Sequence, residues 1–80
     1  MHKLSTVHQI KQVLVARRRA LGLSQTEVAA RLGISQNRLS ELETQSAALT
    51  VDRLLALCGI LGLELTLKER GQNLPAPSEW

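Results

Sequence analysis

Few side chains in this 80-residue sequence are equipped for covalent chemistry. Cys58 is the only cysteine, and His2 and His8 have no clustered partners. No intramolecular disulfide and no Cys-based metal site is therefore available, and no metal is expected. No His, Cys or carboxylate pair stands at catalytic spacing, no Gly-rich phosphate loop occurs, and so short a chain cannot build a deep pocket. Neither enzymatic activity nor a cofactor is expected. The chemistry on offer is hydrogen bonding and charge. The run "SQNRLSELE" (35–43) is polar at every position except Leu39 and Leu42. Upstream, "ARRRA" places Arg17, Arg18 and Arg19 in succession. Residues 1–38 hold seven basic and one acidic side chain, a balance of +6, whereas residues 39–80 hold three and six, a balance of −3. The basic half is the candidate anion-binding half.

Local signals divide the chain into the elements that must position these groups. The apolar residues Val7, Ile10, Leu14 and Leu21 recur on one helical face, and Gly22 supplies a stop, which predicts a first helix over about 6–21. Ser24 followed by Glu27 is a capping box, Leu23 and Val28 form a hydrophobic staple, and Gly33 ends the run, so a second helix is predicted over 25–32. Ser35 is an N-cap for a third, over 36–43, whose polar positions point outward from the Leu39/Leu42 stripe. Thr50 caps a fourth over 51–61, with Asp52 in its first turn.

That fourth helix is apolar on nearly all sides. Val51, Leu54, Leu55, Cys58 and Leu61 form one stripe, Leu57 and Ile60 lie on the other side, and Gly59 invites close approach of another backbone. One small domain covers one face, and a second subunit would cover the other. Next, "LELTLKE" alternates Leu63, Leu65 and Leu67 with polar residues, the pattern of a half-buried strand. A lone strand leaves its backbone unpaired, so it is expected to pair with its symmetry mate. Leu57, Ile60, Leu63, Leu65 and Leu67 are the candidate dimerisation residues. Residues 1–5 are expected to be a flexible end, 6–70 the folded domain, and 71–80, with two prolines and Trp80, a flexible tail.

The length itself favours oligomerisation, because a core this small is marginal alone. The longest apolar run, "LLALCGILGL", is ten residues, against roughly 20 for a membrane span. With no signal-peptide pattern at Met1, a reducing, cytoplasmic setting is expected.

Two short helices joined by "GIS", the second displaying polar side chains, match a helix-turn-helix. The tight turn needs Gly33. Small Ala29 and apolar Leu32, Ile34 and Leu39 hold the interhelical angle, which leaves the outer face free to read base edges. Through "LGLSQTEVAARLGISQNRLSELE" and the flanking helices, over about residues 7–61, the chain resembles the Xre/phage-repressor family. The resemblance implies an all-α, four-helix DNA-binding domain in a homodimer that reads a palindromic operator. It implies a phosphate contact for Gln25, and major-groove positions for Gln36, Asn37 and Ser40, with Ser35 at the cap. Gln and Asn pair with adenine, and Arg38 suits phosphate or guanine. Glu41 either accepts from cytosine or is solvated. Arg18 and Glu43 match a family pair joining the first helix to the third. Three consecutive helical residues cannot all face one partner, so Arg17 or Arg19 is left for phosphate.

The strand, the Pro-spaced tail and the closing "EW" also resemble HipB-type antitoxins. That resemblance implies a HipA-type Ser/Thr kinase toxin as partner, repression of the protein's own operon, and a partner-binding role for Glu79 and Trp80. Two other readings compete with it. One is a stand-alone regulator of the phage-repressor or restriction-modification controller type, and the other is a helical interaction module that does not bind DNA.

Overall fold

The computed structural model describes Leu4 and residues 6–69 of the 80. Apart from Leu4, the expected flexible ends, including Glu79 and Trp80, lie outside the described residues. Four helices follow in order: α1 (Val7–Ala20), α2 (Gln25–Leu32), α3 (Gln36–Glu43) and α4 (Val51–Leu61). Each begins at a hydroxyl that accepts from a backbone N–H three residues on: Thr6 from Gln9, Ser24 from Glu27, Ser35 from Arg38 and Thr50 from Arg53. These hydroxyls satisfy donors that the first helical turn leaves orphaned. Full capping boxes form at Ser24/Glu27 and also at Thr6/Gln9.

The core gathers Leu14, Val28, Ala29, Leu39, Leu57, Cys58 and Leu61, with Ile10, Leu23, Leu32, Ile34, Leu49, Leu54, Ile60 and Leu63 packed around them. All four helices contribute to one centre. Burial pushes the Cys58 thiol above its ordinary pKa, which leaves it a poor nucleophile and a small core hydrophobe.

Two expectations change, and a third, the paired strand, finds no partner within the single chain. First, the inward face of α1 is less apolar than its pattern suggests: Lys11 is buried beside Leu14 and Arg18, while Val7 and Leu21, at the two ends of the helix, are exposed. Lys11 and Arg18 find carbonyl and carboxylate partners inside the fold, and a buried charge is tolerated on that condition. Second, the buried face of α4 keeps Cys58 and Leu61 but shifts at other positions. Leu57, expected to face a second subunit, is 4% exposed in the chain's own core, while Val51 (67%) and Leu55 (49%) are left in solvent. Among the described residues nothing lies within 4 Å of where a Cβ on Gly59 would stand. Third, no described residue belongs to a strand, and 63–69 carry no regular structure. Leu65 is exposed and Leu67 is 92% exposed. A single strand has no ladder partner within its own chain, so alternation alone does not form a sheet.

Candidate nucleic-acid interface

The turn between α2 and α3 is built around Gly33, whose φ of 79° lies in the left-handed region that a side chain disfavours. The Gly33 and Ile34 N–H groups close α2 by donating to Ala30 and Ala29. Three residues later α3 begins, and its buried Leu39 and Leu42 press it onto the core. Ser35, Gln36, Asn37, Arg38 and Glu41 are exposed and Ser40 is partly so. Positions 36, 37, 40 and 41 share one stripe by helical periodicity, opposite the buried leucines. Arg38 Nη1 lies 3.3 Å from Glu41 Oε1, one turn on, with both side chains about half exposed.

Behind this stripe runs a continuous hydrogen-bonded relay. Arg18 grips Glu43 with two bonds, Nε to Oε2 at 2.6 Å and Nη2 to Oε1 at 3.0 Å, and its third nitrogen, Nη1, donates to Leu23 O at 3.0 Å. Both side chains are 10% exposed. Glu43 Oε1 also accepts from Gln25 Nε2 at 2.8 Å, and Gln25 Oε1 accepts from Gln36 Nε2 at 2.6 Å. The order is α1, α3, α2 and back to the start of α3. A bidentate Arg–carboxylate pair fixes distance and plane together, and no buried side-chain polar atom among the described residues lacks a partner. The relay therefore holds Gln36 in a defined orientation at the edge of the exposed stripe. Gln25 acts first as the tie between α2 and α3, and its second amide hydrogen remains for another acceptor.

The helix-turn-helix family matches this sequence over residues 14–68. The chain belongs to the helix-turn-helix family. A chain of the solved structure described as "Structure of HipA-HipB-O2-O3 complex" aligns with a TM-score of 0.78 and 24% identity, over 89% of this chain and 100% of that one. At that identity the likeness is one of fold. No curated protein matches the sequence.

Within this helix-turn-helix protein the basic residues of α1 divide between the fold and the surface. Arg17, a candidate for phosphate, donates from Nε to Leu61 O at 2.8 Å and so caps the C-terminus of α4. Arg19 is exposed. Lys11, which composition and periodicity gave no reason to single out, is buried and donates from Nζ to Thr44 O and to Ala47 O, the latter at 2.6 Å. A signal for such a residue does exist in the sequence: α3 is followed by no glycine and has no basic residue in its last turn, so its terminal carbonyls need an outside donor.

Proposed function

We propose that this helix-turn-helix protein is a dimeric, operator-binding repressor that acts as a HipB-like antitoxin, binding a HipA-type Ser/Thr kinase and repressing its own operon with it. The observation that carries the DNA-binding part is the exposed polar stripe of α3, set on the part-buried Arg18–Glu43–Gln25 relay. Ser35, Gln36, Asn37, Ser40 and Glu41 read base edges in the major groove, and Gln25, Arg38 and Arg19 contact phosphate. The exposed Val51 and Leu55, with Ile60, Leu63, Leu65 and Leu67, supply the apolar surface of the dimer, and the segment 64–68 forms a ladder with its symmetry mate. Two α3 helices related by a two-fold then read half-sites about 34 Å apart in a palindromic operator. Fold likeness to a chain of the HipA-HipB-O2-O3 complex supports the kinase partner, and Glu79 and Trp80 are assigned to its pocket.

Light scattering, selection from a random-duplex pool and co-purification with a HipA-type kinase test the three parts separately. A dimer that selects a palindrome and retains the kinase through Glu79 and Trp80 fits the proposal. Selection of DNA without kinase binding would leave the stand-alone regulator.

A further inference from the structure

Three of the four helices stop at a glycine of positive φ: Gly22 after α1, Gly33 after α2 and Gly62 after α4. The α3 helix does not. Its C-cap is Thr44 in extended conformation, and its last turn holds no basic residue, so neither of the usual devices for terminal carbonyls is present in its own sequence. One of those carbonyls, Glu41 O, accepts from Ala47 N and from Thr44 Oγ1. Thr44 O accepts from Lys11 Nζ, and the same ammonium takes Ala47 O in the following turn. Lys11 is 4% exposed, so its charge faces the carbonyls and not solvent.

Resting on the DNA-binding reading above, we infer that Lys11 is a positioning residue for base readout: an external C-cap, supplied by α1, that fixes how α3 is presented. Arg18 and Lys11 lie seven residues apart, on one face of α1 with Leu14 between them. Arg18 holds α3 at Glu43, and Lys11 holds it one residue on and secures the turn to Ala47. A single anchor leaves a short helix free to pivot, whereas two anchors set its direction. Base-edge hydrogen bonds require placement within about 0.5 Å and 10–20°, while attraction to phosphates does not. Losing Lys11 therefore costs discrimination between sequences and leaves general attraction to DNA in place.

The test uses the full chain. Wild-type protein selects duplexes from a random pool, and the selected duplex and a scrambled one are then titrated with wild type and with Lys11→Met, which keeps the aliphatic stem. The preference for the selected duplex is expected to fall about tenfold or more, the scale of a charge-assisted hydrogen bond. Binding to the scrambled duplex, and its salt dependence, are expected to stay as in wild type. An unchanged preference overturns the inference, and so does an equal loss on both duplexes, which marks a general weakening of the fold. A salt slope reduced by about 0.9 also overturns it, because that is the mark of a lost phosphate contact. Should Lys11→Met fail to fold, Lys11→Gln is measured in its place against the same outcomes, and loss of fold in both makes the ammonium a requirement of the whole domain and overturns its specific role. If wild type itself selects no duplex, the DNA-binding reading has failed first and the role of Lys11 falls with it.

Discussion

The inner face of α1 and the outer face of α3 are both polar, but in opposite ways. On α1, Lys11, Arg17 and Arg18 are turned into the fold, where each meets a carbonyl or carboxylate near the end of another helix. On α3, Gln36 and Asn37 are neutral and exposed, and the one nearby cation, Arg38, lies beside Glu41. Formal charge is thus a poor guide to the interface in this chain. Three of the seven basic residues in the N-terminal half are committed to holding helices together, while the outer face of α3, proposed to read base edges, is largely uncharged. The comparison separates two kinds of side chain: those that set the placement of the helices, Lys11 among them through α3, and those proposed to touch DNA directly.

The largest effect is expected from Arg18→Ala. Glu43, 10% exposed, would be left a buried charge without its cation, a change that costs about 3–5 kcal/mol. At about 4–8 °C per kcal/mol for a small domain, thermal melting followed by circular dichroism should fall by some 15 °C or more. A melt like that of wild type would place the pair in solvent. Gln36→Ala should behave in the opposite way, with an unchanged melt and a loss of about 1–3 kcal/mol on the selected duplex only. Equal losses on selected and scrambled duplexes would assign Gln36 to the backbone. Arg17→Ala removes a charge-assisted bond to the end of α4 and should destabilise by about 1.5 kcal/mol, read by urea denaturation.

The smallest effect concerns α2. The Ser24 backbone N–H, followed by the Ser24 hydroxyl, holds the Glu27 carboxyl below its ordinary pKa. Because the folded value is the depressed one, this contribution is full above the unfolded pKa and is lost as pH falls through the folded value. Melts of wild type and Glu27→Gln should therefore converge toward low pH and separate above it.

The ends of the helices were legible in the sequence because they are set by near neighbours: Ser24 with Glu27, Ser35 and Thr50 as caps, and Gly33 as a stop. Thr6 with Gln9 is a signal of the same kind. Which way a helix faces was harder to read. In α4 nearly every position is apolar, so periodicity offers no contrast between Leu57, which is buried, and Val51 or Leu55, which are not. In α1 the inward residues include two cations whose partners lie 25 and more residues away, and no local pattern announces them. Alternation over 63–68 marks two faces of a segment without supplying the second strand that a sheet requires.

The division of labour between α1 and α3 is tested most directly by the salt dependence of duplex binding. For each phosphate neutralised by a protein cation, the slope of log affinity against log salt steepens by about 0.9. Measured on the selected duplex at a temperature where both proteins are folded, Arg17→Ala is expected to show the wild-type slope. A slope shallower by about 0.9 would mean that Arg17 leaves Leu61 for phosphate when DNA is bound, and would contradict the account.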